Sequence, residues 1–359
     1  MNNFIVQPKL GVPFVSVKAM ANLINKLGIE NMLAMLTQRL ERDFARWEEF
    51  DKSPRYASHS SDGVVELMPV SDGKMFSCKY VNGHPKNKLK GLQTVAAFGI
   101  LADVESGYPV MISEMCLLTA IRTAATSALV AKYLAPKKSS TLALIGNGAQ
   151  SEFQALAFYS VLGIRDIRLY DIDKKASEKT ALNLGRYNLN VTICDSIEQV
   201  VEGAHIITTC TADKKNATIL KSDFIKEGVH INAIGGDCPG KTELDANILE
   251  RGTVYVEFEP QTRIEGEIQQ MEKDFKVTEF HKVISGKAEG RVTEEQITIF
   301  DGVGFASEDF SVLAFIREQL LELSELETLD LITQQGDPRN LFSVLISDTG
   351  ERKLNEVVA

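Results

Sequence analysis

The chain has 359 residues, of which 44% are hydrophobic; this length is enough for a large core and predicts two domains. Its formal net charge of -10 argues against nucleic acid and anionic membrane surfaces as partners. The cysteines are scattered and form no Cys-x-x-Cys pair, which is typical of a reducing compartment. Together with the lack of a signal-peptide pattern at the start and of a bilayer-length apolar run, this indicates a cytoplasmic protein. The histidines lack metal-ligand spacing, which argues against a zinc site.

The first third of the chain is predicted to combine helices with antiparallel strands. Helical spacing of apolar residues predicts two amphipathic helices within Lys18–Trp47 and, later, an alanine-rich helix Leu117–Leu134. Between them, short extended runs around turn residues predict two pairs of strands, Val64–Val70 with Met75–Val81 and Thr94–Leu101 with Pro109–Glu114. The first strand pair flanks an Asp-Gly turn and the second flanks a turn that ends in Gly107. Both pairs are therefore predicted to be hairpins.

The first hairpin predicts a pair of charged side chains. If Asp72-Gly73 is a two-residue turn, Glu66 lies directly opposite Lys79 on one face of the sheet. In an active site, such a pair would hold the lysine beside a substrate and adjust its acidity. The alternative is a solvated ion pair that contributes little to stability.

Two arginines are candidates for binding an anion. Arg55 follows a proline that keeps the chain extended, and Arg122 lies within the otherwise apolar alanine-rich helix. Either guanidinium has the geometry to clamp a carboxylate or a phosphate with two hydrogen bonds. The alternatives are a solvated surface arginine and, for Arg122, an extended side chain whose charged end reaches solvent.

From Ser139 onward the pattern alternates between strands and helices. The predicted strands are Thr141–Ile145, Ile167–Tyr170, Asn190–Ile193, His205–Thr209, His230–Ile234, Val254–Phe258 and Gln296–Phe300. This alternation predicts an α/β fold with a doubly wound parallel sheet covered by helices. A last helix, Glu308–Leu323, leads back to the first domain. We therefore expect one contiguous domain, residues 130–315, and an α+β domain built from both chain ends, residues 1–129 and 316–359.

The segment after Ile145 has the pattern of a dinucleotide-binding turn. Gly146 permits a tight turn, and Gly148 lets the backbone approach a pyrophosphate. The amides of Ala149 and Gln150 would face that group at the start of a helix, Gln150–Leu162. Asp171 ends the next strand, where it can bind a ribose diol and repel a 2′-phosphate, which favours NAD over NADP. The alternative is an ordinary strand-to-helix turn.

The decapeptide GGDCPGKTEL, residues 235–244, follows the predicted strand that ends at Ile234. It places an acid, Asp237, at the carboxyl end of a strand of the doubly wound sheet, where such sheets bind their ligands. A carboxylate there can move protons beside a bound nucleotide. The alternative is ordinary turn chemistry, because Gly-Gly-Asp and Pro-Gly are common in turns.

Several segments together resemble the ornithine cyclodeaminase and mu-crystallin family. They are SPRYASHS, KYVNGHP, GLQTVAAFG, LADVESGYPV, SEMCLLTAIRTAATSALVAKYLA, IGNGAQSEFQALAF and NAIGGDCPGKTEL, between about Arg55 and Ser307. The decapeptide is more specific for the cyclodeaminase branch than for ketimine reductases or alanine dehydrogenases. Ser151 departs from the general dinucleotide fingerprint, which has glycine or alanine at that position.

The resemblance implies roles for individual residues. Asp237 matches the catalytic acid and base, with Lys79 and Glu66 in the catalytic pocket. Arg55, Lys79 and Arg122 match the positions that hold the substrate carboxylate, with Glu66 beside Lys79. In addition to Gly146 and Gly148 of the dinucleotide-binding turn, the matches to cofactor contacts are Thr94, Arg122, Ala149, Gln150, Asp171, Thr211, Asn232, Ala233, Ile234, Gly235, Lys241 and Ser307. Ser307 is also predicted, from its position before Glu308-Asp309, to cap the last helix.

The resemblance also implies an activity and an assembly. It implies conversion of L-ornithine to L-proline and ammonia, with NAD oxidised and reduced again within one turnover, in a Rossmann-type domain joined to a substrate-binding and dimerisation domain. Alternatives within the family are a lysine cyclodeaminase that forms L-pipecolate and an NAD(P)-linked ketimine reductase or amino-acid dehydrogenase. A non-catalytic ligand-binding protein is the alternative from another class. The family resemblance further implies a homodimer formed through the antiparallel sheet of the first domain.

Overall fold

The computed structural model of the chain describes residues 11–212, 217–236, 238–320, 327–333 and 337–347. Asp237 and the predicted end of the last helix, beyond Leu320, lie outside the described residues. The strands are β1 (Val12–Val15), β2 (Asp51–Lys52), β3 (Tyr56–His59), β4 (Val64–Ser71), β5 (Met75–Gly83), β6 (Ala97–Asp103), β7 (Pro109–Glu114), β8 (Thr141–Ile145), β9 (Asp166–Tyr170), β10 (Asn190–Ile193), β11 (Ile206–Thr209), β12 (His230–Ala233), β13 (Thr253–Val256), β14 (Thr278–Glu279), β15 (Thr298–Asp301) and β16 (Glu327–Leu329). The helices are α1 (Val17–Leu27), α2 (Ile29–Ala45), α3 (Cys116–Leu134), α4 (Ser151–Leu162), α5 (Lys174–Leu184), α6 (Ile197–Val201), α7 (Ala246–Arg251), α8 (Glu259–Glu265), α9 (Phe280–Ile284), α10 (Ala306–Leu320) and α11 (Ser343–Ser347).

The first sheet is mostly antiparallel and uses both ends of the described chain. Its strand order is β16-β1-β7-β6-β5-β4-β2, and β3 also pairs with β4. β1 runs parallel to β7, whereas β16 pairs antiparallel with β1. Along β4, buried and more accessible residues alternate, as expected for a sheet with one covered face. The covered face packs against α10, which also contacts α2 and α3.

The register of the first hairpin differs from the sequence prediction. Glu66 lies opposite Val81, and Lys79 lies opposite Met68. The turn has Gly73 and Lys74 at its centre. The favoured two-residue hairpin turns require positive φ at their first central residue, and Gly73 has it, at 79°, whereas Asp72 does not. Asp72 instead precedes the turn and accepts hydrogen bonds from the backbone N–H groups of Lys74 and Met75. The predicted Glu66–Lys79 cross-strand pair was therefore wrong.

The second sheet confirms the predicted doubly wound architecture. Its order is β10-β9-β8-β11-β12-β15-β13-β14, and every pairing in it is parallel. β8, β11 and β12 are buried along their whole length, as in parallel sheets that are covered by helices on both faces. After β8 the chain adds β9 and β10 on one side of it and then returns to add β11 and β12 on the other side. The point where the strand order reverses therefore lies between β8 and β11. Sheets of this kind bind ligands at that point.

The predicted strands of the second sheet are present, with small shifts at their ends. β13 ends at Val256, two residues before the predicted end, because Phe258 already precedes helix α8 with Pro260 in its first turn. β15 covers Thr298–Asp301, where the prediction was Gln296–Phe300.

The last helix begins earlier than predicted. α10 starts at Ala306, so Ser307 lies inside its first turn and does not cap it; the predicted N-cap was wrong. None of the helices in the described part of the chain is both long and apolar enough to cross a bilayer.

Candidate functional site

The carboxyl ends of the central parallel strands bring the predicted cofactor residues to one edge of the second sheet. Gly146 follows β8 with a φ of 94°, and a Cβ atom there would lie 2.8 Å from the carbonyl carbon of Cys210, which follows β11. Only glycine fits this close approach without strain. Asn232 and Ala233 are buried at the end of β12, and Ile234 follows them half-buried. Asn232 Oδ1 lies 3.3 Å from the Nε2 atom of His230.

The loop after Gly146 leaves an open cradle in front of α4. A Cβ atom at Gly148 would meet no heavy atom within 4 Å, and Ala149 is exposed. Gln150 Oε1 is buried and accepts no hydrogen bond from the described residues. Asp171 Oδ2 accepts a hydrogen bond of 2.6 Å from the backbone N–H of Asn147, which holds the carboxylate beside the loop. The open backbone, the amide without a donor and the adjacent carboxylate fit a dinucleotide.

Ser151, which departs from the general fingerprint, fits its position through hydrogen bonds. Its side chain is buried, and its hydroxyl donates to the carbonyl of Gly148 at 2.9 Å. The same oxygen lies 2.9 Å from the hydroxyl of Thr180 on α5. Serine therefore keeps the loop tied to α4 and α5 where glycine or alanine would only provide close packing.

Thr211 and Lys241 come together with Glu243 beside the loop. Lys241 Nζ donates to the carbonyl of Thr211 at 2.9 Å, although the lysine is only 3% exposed. Glu243 Oε1 accepts from the backbone N–H of Thr211 at 3.1 Å and also from its hydroxyl. A Cβ atom at Gly235 would collide with the carboxylate of Glu243, so the GGDCPGKTEL segment is folded back onto its own glutamate.

Two predicted cofactor residues lie in other elements. Thr94 is half-buried in the segment before β6, and its carbonyl accepts from the backbone N–H of His84 at 2.8 Å. In the described chain, no hydrogen bond joins Thr94 to another predicted site residue. Ser307 is buried in the first turn of α10, where its carbonyl accepts from the hydroxyl of Ser311.

Arg55 reaches from the first sheet to the loop after β15. One Nη atom lies 3.1 Å from Glu66 Oε2, and the other donates to the carbonyls of Val303 and Gly304. Its Nε atom lies 3.1 Å from Glu265 of α8. The guanidinium is therefore held by residues from both halves of the chain.

Lys79 and Arg122 share one buried carboxylate, Asp309 of α10. Lys79 Nζ lies 2.8 Å from Asp309 Oδ2, and Arg122 Nε lies 3.2 Å from Oδ1. Arg122 also pairs with Glu308 at 2.5 Å, and its side chain is 6% exposed, so it does not extend to solvent. Burial lowers the pKa of Lys79 to about 8, although the neighbouring Asp309 carboxylate opposes that shift.

Gly304 and Glu257 complete this buried cluster. A Cβ atom at Gly304 would lie 2.5 Å from an Nη atom of Arg122, and its φ is 74°, so glycine is required there. The Glu257 carboxylate accepts from the backbone N–H groups of Val303 and Gly304. Burial, followed by repulsion from Glu308, raises the pKa of Glu257 to about 8.

The structure thus assembles two groups of the predicted residues. Gly146, Thr211, Gly235 and Lys241 meet at the strand ends. Arg55, Glu66, Lys79 and Arg122 gather where α10 meets the first sheet.

Sequence reasoning missed the acidic partners of the cations. Glu265, Glu308 and Asp309 contact the predicted arginines and lysine, and Glu257 binds the backbone of the loop that Arg55 also contacts; none of the four was predicted as a site residue. A signal was present for two of them. Glu308 and Asp309 interrupt the largely apolar helix α10, and acids are almost never fully buried without a partner.

Comparison with known proteins identifies the family. The profile of the ornithine cyclodeaminase/mu-crystallin family matches residues 17–324. The chain is 57% identical, over 343 residues, to a protein named ornithine cyclodeaminase from Agrobacterium fabrum, and the match covers 96% of this chain and 97% of that protein.

Two solved structures have the same fold. One shows a lysine cyclodeaminase and its recognition of L-lysine, L-ornithine and L-2,4-diaminobutyric acid; it has a TM-score of 0.87 at 28% identity and covers 93% of this chain and 99% of its own. The other is an archaeal alanine dehydrogenase dimer with bound NAD, with a TM-score of 0.82 at 28% identity, covering 90% of this chain and 100% of its own. The profile match and the sequence identity over nearly the whole chain show that it belongs to the ornithine cyclodeaminase/mu-crystallin family.

Proposed function

We propose that this protein converts L-ornithine into L-proline and ammonia with NAD as a cofactor that is regenerated within each turnover. The observation that carries the proposal is that only one carboxylate oxygen of Glu66 has a hydrogen-bond donor among the described residues. One of its carboxylate oxygens pairs with Arg55, while the other, Oε1, is buried and receives no hydrogen bond from the described residues. A buried carboxylate oxygen without a donor is costly, and the second amino group of a diamino acid supplies one.

The charges around Glu66 suit a diamino acid. Arg55, Lys79 and Arg122 are the candidate ligands of the α-carboxylate, and each is paired with a buried acid in this structure. A substrate with one carboxylate and two ammonium groups replaces part of these pairings without leaving a buried charge alone. An amino acid such as alanine has no second ammonium for Glu66.

NAD fits the edge of the second sheet. Gly146, Gly148, Ala149 and Gln150 would hold its pyrophosphate, because Gly146 makes the tight turn and the backbone at Gly148 and Ala149 is open. Asp171, held beside the loop by the backbone N–H of Asn147, would bind its ribose diol. When bound, NAD supplies the two-electron acceptor that oxidises the substrate at Cα and returns the electrons after ring closure. Thr211 and Lys241 lie at the same strand ends and would contact the cofactor.

The chain's own groups then position the substrate and move protons. The arginines and Lys79 would fix the α-carboxylate and thereby hold the δ-amine close to Cα, so that ring closure is intramolecular. We assign to Asp237 the removal of a proton from the α-ammonium group and the later return of a proton to the departing ammonia.

The test is a product assay with the purified full-length chain. With L-ornithine and substoichiometric NAD, we expect ammonia and L-proline to form in equal amounts, with no net change in absorbance at 340 nm. Accumulation of NADH in step with substrate loss would assign the protein to the dehydrogenases instead. NAD binding without any product would make it a binding protein.

A second candidate substrate is L-lysine, because the structurally similar lysine cyclodeaminase recognises both diamino acids. One methylene changes binding by only about 1–3 kcal/mol in an apolar pocket. The same assay with L-lysine distinguishes the two. A kcat/KM for lysine above that for ornithine would favour this second candidate.

Replacing Asp171 with serine tests the proposed cofactor preference. The change removes a charged acceptor of the ribose hydroxyls and the repulsion of a 2′-phosphate. Loss of one hydrogen bond to a charged group costs about 1.5–3 kcal/mol. We therefore expect the ratio of kcat/KM with NAD to that with NADP to fall at least tenfold.

Asp173→Ser is the matched control, because Asp173 caps α5 through the backbone N–H of Lys175 at 3.1 Å. It should leave the cofactor ratio unchanged. An unchanged ratio in the Asp171 variant as well would contradict the assignment of Asp171 to the ribose.

We also propose that two copies of the chain associate through the outer face of the first sheet. A row of aligned apolar residues crosses four strands there, formed by Tyr56, Leu67, Tyr80 and Phe98. Phe98 is 51% exposed, and Leu67 is 42% exposed although it lies in the middle of β4. Exposed apolar surface of this kind is typical of interfaces, and the structurally similar alanine dehydrogenase is a dimer.

Leu67→Asp is expected to convert the dimer into a monomer, because it buries an unpaired charge at the centre of the interface. Sedimentation equilibrium measures the change directly. Leu182→Asp is the control, since Leu182 is 78% exposed on α5, outside the apolar row. A dimer that persists in the Leu67 variant at micromolar concentration would exclude this face.

Two further assignments belong to the proposal. Residues 130–315 are assigned to a cofactor domain, and residues 1–129 and 316–359 to a substrate-binding and dimerisation domain. We place the protein in the cytoplasm, because its five cysteines are free thiols and a reducing compartment keeps them so.

A further inference from the structure

We propose that the short turn Glu267–Gln270, anchored by Asp301, positions the segment that carries the proposed acid and base. We call Glu267–Gln270 the support turn; it is a single turn of 3-10 helix after α8. The inference rests on the proposed function and adds to it three positioning residues, Asp301, Glu267 and Gln269. Nothing in the family resemblance or in the predicted site pointed to them.

Asp301 fixes the support turn to the second sheet. It is the last residue of β15 and is completely buried. One carboxylate oxygen accepts from the backbone N–H of Glu267 at 2.8 Å, and the other accepts from that of Ile268 at 2.9 Å. The start of the turn is therefore tied to a strand in the middle of the parallel sheet.

Glu267 connects the support turn to the GGDCPGKTEL segment through hydrogen bonds. It is also completely buried, and its Oε1 and Oε2 atoms accept from the backbone N–H groups of Glu243 and Leu244 at 2.8 and 3.0 Å. A Cβ atom at Gly236 would lie 2.9 Å from Glu267 Oε1, so this carboxylate also lies against the residue just before Asp237. One side chain thus contacts both ends of the segment.

Gln269 holds the middle of the same segment. Its side-chain N–H groups donate to the carbonyls of Cys238 and Lys241, and its Oε1 atom accepts from the backbone N–H of Gly240 at 2.6 Å. These contacts enclose the turn that follows Asp237. Glu267 and Gln269 together restrain the backbone at Gly236 and between Cys238 and Leu244.

The GGDCPGKTEL segment also contacts Thr211, at the strand ends where NAD is proposed to bind. Glu243 accepts from the backbone N–H of Thr211, and Lys241 donates to the carbonyl of the same residue. Three buried carboxylates, on Asp301, Glu267 and Glu243, therefore form a series in which each accepts backbone N–H groups of the next element. Burial raises the pKa of Glu267 to about 8 and that of Asp301 to about 7, so keeping these charges is costly and the amide hydrogen bonds offset part of the cost.

The test compares Glu267→Gln and Gln269→Leu with wild type. Glutamine has one acceptor oxygen, so one of the two amides that Glu267 binds loses its partner. Gln269 is half-buried, so its replacement is compatible with folding even if the Glu267 variant is not. We expect kcat with ornithine to fall about tenfold to a hundredfold, because a displacement of about 1 Å at the reacting groups has that effect.

The readouts separate positioning from general destabilisation. The KM for ornithine should change less than twofold, because Arg55, Lys79 and Arg122 lie on other elements, while the dissociation constant of NAD should rise through Thr211 and Lys241. Asp72→Asn is the stability control, since Asp72 Oδ1 accepts two backbone N–H groups and Oδ2 pairs with Arg46, so the change removes an ion pair in a distant hairpin turn. It should lower the free energy of unfolding without changing kcat or NAD affinity.

Two results would overturn the proposal. One is a Gln269→Leu protein with wild-type kcat and wild-type NAD affinity. The other is a loss of activity in both support-turn variants that the Asp72→Asn control reproduces at equal loss of stability. The NAD measurement needs no turnover, so it tests the support turn even if wild type proves inactive with ornithine, which would count against the proposed function alone.

Discussion

Replacing Asp237 with asparagine is expected to lower kcat with ornithine by about a hundredfold to ten-thousandfold, while the dissociation constant of NAD changes little. Asparagine keeps the size of the side chain and removes its ability to accept and return a proton, and general acid–base catalysis contributes about this factor. Asp237 lies outside the described residues, so the prediction rests on its place in the GGDCPGKTEL segment and on the family resemblance.

Steady-state kinetics and NAD titration of the purified variant measure the two effects. Asp245→Asn is the control, because Asp245 follows the same segment but caps α7 through the backbone N–H of Asn247. Asparagine caps a helix about as well as aspartate, so this change should alter stability little and leave kcat unchanged. Full activity of the Asp237 variant would remove Asp237 from the mechanism.

Replacing Lys79 with methionine is expected to have the largest effect on stability. Lys79 is 1% exposed and pairs with Asp309, which is completely buried. Removing one partner of a buried ion pair leaves an uncompensated charge and typically costs about 3–5 kcal/mol. The substrate carboxylate would also lose one of its proposed ligands, so kcat/KM should fall in any protein that still folds.

Urea unfolding measures the stability loss, and a double variant separates it from the loss of function. Lys79→Met combined with Asp309→Asn should recover part of the stability, limited by the second contact of Asp309 with Arg122, but no activity. Lys132→Met is the control, since Lys132 forms a surface pair with Glu41 and is 47% exposed; it should cost less than about 1 kcal/mol. A Lys79 variant as stable as that control would contradict the buried pair.

The sequence predicted most of the elements because their signals are local. The apolar spacing within Lys18–Trp47 corresponds to α1 and α2, and the buried apolar run Thr141–Ile145 is β8 with the same bounds. Gly146 could be recognised because it lies between a strand and a helix, and its positive φ is a property of its own backbone. Each of these signals needs only neighbouring residues.

The partners of the charged residues could not be predicted in this way. The sequence indicated that Glu66 and Lys79 share a sheet face, which is true, but it paired them with each other. A shift of the turn by one residue preserves the face and moves the opposed positions by two. The actual partners, Arg55 and Asp309, lie in other elements.

The sequence by itself therefore determined the fold class, the glycine turn after β8 and the identity of the charged groups, since these follow from periodicity, glycine positions and residue chemistry. Only the tertiary structure decided which acid neutralises which cation and how the support turn restrains the GGDCPGKTEL segment. The reason is physical. A buried charge must find a partner within about 3–4 Å, and the packing of α10 and of the support turn brings such partners from segments far apart in the chain.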